Sequence, residues 1–233
     1  NSAIENLFSL AENFYETRIS GRIGGVTLPA IPAINPDGKV NITASIAAID
    51  GPGNTLAQAG PTSGSNLGGT FFTTSGIMQF DESDVLGDLS SGRLEDIILH
   101  EMAHVLGFGT LWELNGLYTP GTGQYTAPNA LAAYQAECDA GATFIPIELD
   151  GGAGTANAHW DETTFGCGSS DLLTGFIGAG GSNPFSQTSL AAFEDLGYVL
   201  AAPPSTVPLP AGGVLILSAL GGLAFARRRK TAA

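Results

Sequence analysis

The segment LEDIILHEMAHVLGFGTLW, Leu94 to Trp112, constrains this chain more than any other. Leu94, Ile98, Met102 and Val105 fall on one face at 100° per residue, and the spacing predicts a helix over 93–107. Gly92 is expected at its N-cap, with Glu95 and Asp96 favouring the positive helix end, and Gly107 is the expected C-terminal stop. A helix with core on one side and solvent on the other would carry solvated Lys or Glu opposite the apolar stripe. Here the opposite face carries His100 and His104 instead. Four residues apart on a helix, their Cβ atoms lie about 5–6 Å from each other, so both imidazoles can reach one metal ion. The chain has three histidines, and two are in this one turn.

Glu101 follows the first of these imidazoles. The pattern H-E-x-x-H fixes three positions in five, so chance matches occur; its place on a helix raises its weight. In that chemistry the glutamate faces a water rather than the ion. Zinc lowers the pKa of such a water toward about 7, and a carboxylate beside it can take the proton during attack on a carbonyl and return it to a leaving amine. A third protein ligand is then needed. In the compact pattern H-E-x-x-H-x-x-G-x-x-H, Gly107 is in place, but Thr110 stands where the third histidine would be. The remaining histidine is His159, in GGAGTANAHWDE (151–162). By elimination a three-histidine site must use it, the chain leaving at Gly107 and returning 55 residues after His104. A carboxylate from Glu137, Glu148, Asp161 or Glu162 is the alternative third ligand.

Elsewhere, IENLFSLAENFYETRI predicts a helix over about 3–18, and VNITASIAAID a strand ending at Asp50. GPGNTLAQAGPTSGSNLGG (51–69) reads as loop by composition. TFFTTSGIMQFD reads as strand or hairpin, followed by the acidic turn DESD. ALAAYQAE is a short helix candidate. In PFSQTSLAAFEDLGYVL (184–200) a helix is expected to start at Ser186 or Thr188 and end at Gly197. With 33 glycines and only two lysines, the composition is that of a loop-rich globular protein rather than a helical bundle, and the predicted helices and strands together make the expected class α+β. Of eight basic residues, Arg227, Arg228, Arg229 and Lys230 sit in the last seven positions, leaving four cations against all 22 acids in the rest of the chain. Such a surface repels phosphate backbones and excludes nucleic acid as a partner.

After Tyr198 the character changes. AAPPSTVPLP (201–210) is a Pro-rich linker, AGGVLILSALGGLAFA (211–226) carries no charge, and residues 227–233 form a basic tail. Counted from Val207, the twenty uncharged residues are long enough to span a bilayer, with the cations on the cytoplasmic side. A buried core helix is the alternative reading.

Five runs carry a family resemblance across residues 4–200: IDGPGNTLAQAGP (49–61), GIMQFDESD (76–84), ILHEMAHVLGFGTLW (98–112), GGAGTANAHWDE (151–162) and SLAAFEDLGY (189–198). Together they resemble the bacterial members of the leishmanolysin-like branch of the metzincin zinc peptidases, in which an inserted segment separates the helix motif from the third histidine. The resemblance implies one catalytic Zn2+ held by His100, His104 and His159, Glu101 as general base, and endopeptidase action on protein or peptide substrates. It implies a metzincin-like fold over 1–200, with an N-terminal sheet-and-helix lobe carrying the active-site helix, a loop-rich C-terminal lobe, and beyond these a C-terminal hydrophobic helix. One departure stands out. Relatives show a Glu-Leu-Met-Thr-Gly-like run beneath the zinc, and here DLLTGF puts Leu173 in the methionine's place. Leu and Met are close in volume, a swap that usually costs under about 1.5 kcal/mol. In such a fold an edge strand above the helix pairs with an extended substrate; TFFTTSGIMQF (70–80) is the candidate, an ordinary buried strand the alternative. Residues 108–135 and 165–185 are expected to line the specificity pocket.

The tail VPLPAGGVLILSALGGLAFARRRK resembles C-terminal sorting signals of the PEP-CTERM type in a Val-Pro-Leu-Pro-Ala variant. That resemblance implies export across the inner membrane of a Gram-negative bacterium, membrane anchoring, and cutting near the motif by an exosortase-like sorting protease. A plain single-span anchor is the alternative, and either leaves the catalytic domain outside the cytoplasm. That compartment permits disulfides. Cys138 and Cys167 bracket His159, and a bond between them would close a loop of about 30 residues, worth roughly 3–4 kcal/mol in the chain-entropy model. Two free thiols or an accessory metal site are the alternatives. Two other functional classes stay open: a catalytically silent surface or matrix protein that keeps the peptidase fold, and a zinc-dependent adhesin.

Overall fold

The computed structural model describes residues 2–22, 39–166, 171–178 and 183–201. Residues Asn1–Ala201 form one compact unit of mixed α+β structure. The first helix, α1 (Ser2–Arg18), leads into β1 (Ile19–Arg22). Then come β2 (Asn41–Ala47), β3 (Ala57–Leu67) and β4 (Thr70–Asp81), two helices in succession, α2 (Val85–Ser91) and α3 (Leu94–Leu106), the short β5 (Gln124–Tyr125), α4 (Pro128–Glu137), β6 (Ile145–Pro146), α5 (Gln187–Asp195) and β7 (Tyr198–Leu200).

The main sheet has the order β2-β4-β3. Two expectations are corrected here. The 51–69 segment is not all loop, since β3 runs for eleven residues within it. Its Gly, Pro and Ser content masks it, and it can be a strand because it is an edge. Pro61 lacks an N–H to donate but lies on a strand with one neighbour only, next to register shifts at Pro61/Ser63 and Ser63/Gly64. Gly68 and Gly69, at φ 63° and 97°, form the two-residue turn from β3 to β4, where the right-handed twist of a hairpin favours positive φ at both positions. The second correction concerns β4, which is not an edge strand. It pairs antiparallel with β3 along its length and parallel with β2 over residues 75–81.

Asp81, at the end of β4, holds the 49–53 loop. Its carboxylate accepts from the amides of Ile49, Asp50 and Gly51 at 2.9, 3.0 and 3.3 Å and from Ser83 at 2.7 Å. The Ser83 amide first, then those of Ile49 and Asp50, hold its pKa down to about 2 despite the opposing effect of burial.

Helix α3 lies against β3 and β4, with every residue but Glu95 buried. The sheet approaches so closely that a Cβ on Gly76 would sit 2.5 Å from Val105 Cγ1. On its other sides the helix is tied by hydroxyls from both ends of the unit: Tyr15 Oη donates to the Leu99 carbonyl at 2.7 Å, and Tyr198 Oη to the Leu106 carbonyl at 2.8 Å. Gly92 does not cap the start of α3 as expected. It closes the unanticipated α2, at φ 82°, and Arg93 takes the N-cap position of α3.

Past α3 the chain is mostly turns around an aromatic cluster. Trp112 and Trp160 lie 5.2 Å apart, with Phe108 5.1 Å from Trp160 and Tyr125 4.9 Å from Trp112. Helices α4 and α5 pack together and cap each other. Asp195 accepts from the amides of Asn129 and Ala130, both at 2.9 Å, while Glu137 accepts from those of Gln187 and Thr188 at 3.2 and 2.9 Å. Ser186 is the N-cap of α5, its hydroxyl accepting from the Ser189 amide. Antiparallel pairing of β1 with β7 joins the first and last strands of the unit.

Among the described residues no helix is long and apolar enough to cross a membrane. The expected linker, hydrophobic span and basic tail (202–233) lie outside the described residues.

Candidate metal centre

His100 and His104 project from successive turns of α3, and Gly107 ends the helix in the left-handed region at φ 116°, its amide closing onto Ala103 and His104. Phe108 and Gly109 then run directly beneath the returning segment. A Cβ on Gly109 would lie 2.2 Å from the Ala158 carbonyl oxygen and 2.8 Å from its Cα, and Gly109 has φ 70°. Only glycine permits that approach, and the next residue after Ala158 is His159. The returning segment is held on both flanks. The Glu148 amide donates to the His159 carbonyl at 3.0 Å, and the Trp160 amide to the Leu173 carbonyl at 3.1 Å. Asn157, in the left-handed region at φ 66°, accepts from Tyr118 Oη at 2.8 Å and the Gly121 amide at 2.6 Å, which fastens the loop before His159.

These constraints bring the three Nε2 atoms to within 2.9–3.0 Å of one another. All three rings are buried, at 5, 6 and 5% exposure for His100, His104 and His159. Each Nδ1 points at a backbone carbonyl: His100 at Leu172 (2.7 Å), His104 at Phe108 (3.0 Å) and His159 at Thr155 (2.9 Å). A carbonyl can only accept, so each Nδ1 carries the hydrogen, and a neutral ring then has a bare Nε2 lone pair. Burial keeps the rings neutral. It pushes His100 down to about 3, with His104 adding to the effect, lowers His104, and takes His159 well below its usual value, the other two imidazoles assisting.

Three unprotonated lone pairs converging in a dry site repel one another unless a cation lies among them. The size fits. A triangle of 3.0 Å sides has its centre about 1.7 Å from each corner, just short of the roughly 2.0–2.1 Å zinc–imidazole bond. Among the described residues these three histidines are the one group of metal-capable side chains near enough to share an ion. Neutral imidazole donors suit zinc, copper, nickel and iron alike. A group of three such side chains, with no fourth beside them among the described residues, has the donor count of sites that leave a position for water or substrate.

Glu101 is 6% exposed, and burial pushes its pKa up to about 8. A divalent cation held by the adjoining imidazoles would draw it back down and favour the carboxylate. The alternative third ligands have work elsewhere. Glu137 caps α5, Glu148 accepts from the Asp150 amide, and Asp161 accepts from the amides of Thr163 and Thr164. Glu162 is pushed up to about 7, first by burial and then by the neighbouring Glu148 carboxyl. None of the four joins the histidine group.

Leu173 is fully buried in the turn 171–174, one residue from the carbonyl that receives His100. Cys138 follows α4 and is disulfide-bonded; the chain's other cysteine, Cys167, lies outside the described residues. The carbonyls of Leu172, Phe108 and Thr155 were invisible to sequence reasoning, since every residue has a carbonyl. Gly109 was visible as a second glycine after the motif, without anything to say what it would meet. Asp171, 2% exposed, was visible only as the start of DLLTGF, with no sign of a role. No protein-family model matches the chain, and no curated protein matches it.

Proposed function

We propose that this chain is a zinc-dependent endopeptidase of the leishmanolysin-like metzincin kind. The observation that carries the reading is the convergence of three buried, Nδ1-protonated imidazoles at 2.9–3.0 Å beside a buried glutamate. His100, His104 and His159 would hold the ion. Zinc, when bound, supplies Lewis acidity, polarising a carbonyl oxygen and acidifying water. Glu101 accepts the proton of the attacking water at its carboxylate and delivers it to the leaving amine nitrogen. An extended peptide pairs with the outer edge of β3, the edge strand that packs on α3, in the manner of strand addition. The disulfide at Cys138 supports a site of action outside the cytoplasm. Export, anchoring and sorting-protease processing rest on the sequence of the tail alone.

The test is hydrolysis of a casein-type substrate by the purified chain with and without chelator. Cleavage is expected to vanish with chelator and return with zinc. Glu101→Gln is expected to keep the metal and lose about 10²–10⁴-fold in turnover, the usual share of a general base. Zinc uptake without any chelator-sensitive cleavage would instead identify a silent binding protein.

A further inference from the structure

We propose that Asp171 is a positioning residue for the metal centre, orienting the His100 ring and anchoring the backbone next to His159 through the Leu172–Leu173 turn. The inference rests on the reading of the histidine triad as a metal site. Asp171 is 2% exposed, and its carboxylate accepts three hydrogen bonds. Oδ1 takes the Leu173 amide at 2.7 Å and Ser189 Oγ at 2.7 Å, and Oδ2 takes the Ser186 amide at 3.0 Å. The Asp171 carbonyl accepts from Thr174 Oγ1 at 2.9 Å, closing the same turn from its other end. Side chain and backbone of one residue therefore set the shape of four consecutive residues.

One carbonyl of that turn meets a histidine ring, and the next holds the backbone beside another. The Leu172 carbonyl receives His100 Nδ1 at 2.7 Å, and the Leu173 carbonyl receives the amide of Trp160, next in sequence to His159, at 3.1 Å. A second path reaches the same segment. The Trp160 indole donates to Ser189 Oγ at 2.8 Å, and that hydroxyl donates onward to Asp171. His104 is outside the network, oriented by Phe108 at the end of its own helix. Loss of the carboxylate thus loosens the carbonyl that holds the His100 ring and the backbone anchor beside His159, whose own ring stays on the Thr155 carbonyl. A ring that swings on a loosened carbonyl no longer aims its lone pair at a common point, and partners of this outer kind typically affect metal affinity by about 10–100-fold.

The test uses the full chain, with zinc affinity measured by competition against a chelator and coordination geometry by the visible spectrum of the cobalt-substituted protein. Asp171→Asn keeps the volume but presents an N–H where Oδ2 accepted. It is expected to bind zinc about 10–100-fold more weakly and to change the cobalt bands. Asp195→Ala, which removes a helix cap, serves as the stability control and is expected to lower the melting temperature at unchanged zinc affinity. If Asp171→Asn folds with wild-type affinity and spectrum, or if Asp195→Ala weakens zinc equally, the proposal is overturned. Should Asp171→Asn not fold, Ser189→Ala decides, since it cuts only the path through Trp160. A loss of zinc affinity supports the proposal, and wild-type affinity overturns it. Failure of the metal-site reading would show in the wild-type protein, which would take up neither ion. Zinc uptake without peptidase activity would sink the proposed function and leave the positioning role standing.

Discussion

Gly109 decides whether the third imidazole arrives. Its backbone lies under Ala158 with no room for a methyl group, since a Cβ there would fall 2.2 Å from a carbonyl oxygen that cannot rotate away. Gly109→Ala also forces an L side chain to φ 70°, which by itself costs about 1–3 kcal/mol. The substitution is expected to lower stability by at least that amount. Because the segment it displaces carries His159, zinc affinity measured by chelator competition should fall with it; unchanged affinity would show that the close approach does not position the ligand. The convergence of the three histidines was legible in the sequence because metal chemistry restricts the residue type, and a chain with three histidines leaves one answer for a three-histidine site. Their orientation was not legible, because it depends on the carbonyls of Leu172, Phe108 and Thr155, groups that every residue possesses.

Among the elements, α4 and α5 stabilise each other through their ends. Asp195 closes the start of α4, and Glu137 closes the start of α5, so each last turn supplies acceptors for the orphan amides of its neighbour. Asp195→Ala and Glu137→Ala are each expected to cost about 0.5–2 kcal/mol, the usual value of an N-terminal cap. Denaturant unfolding of the two single variants and the double variant checks this, with nearly additive losses expected for caps at opposite ends of the pair. These helices were readable from periodicity and from Ser186 at the N-cap. The strand β3 was not, because its glycines, serines and proline carry the composition of a loop. Nor was α2, seven residues with a glycine third in line, too short for a 3.6-residue period to show. The exchange of edge and centre between β3 and β4 has the same origin: β4 looks like an isolated strand only while β3 goes unseen.

For the whole unit, the triad joins two parts of the chain far apart in sequence, the buried helix α3 and the glycine-rich segment bearing His159. An ion that binds only the folded form stabilises it by mass action, by about 4 kcal/mol at a free concentration a thousand times its dissociation constant. For a domain of this size that corresponds to roughly 8–16 °C in melting temperature. Calorimetry of the protein in chelator and in excess zinc should show that rise, and coincident transitions would mean that the histidines hold no ion in solution. Such an experiment needs no label. The chain has two tryptophans, and both belong to the aromatic cluster, with Trp160 directly following His159. All of its indole emission therefore arises beside the loop that carries His159, and the protein's own fluorescence is a one-locus optical gauge of that loop's surroundings.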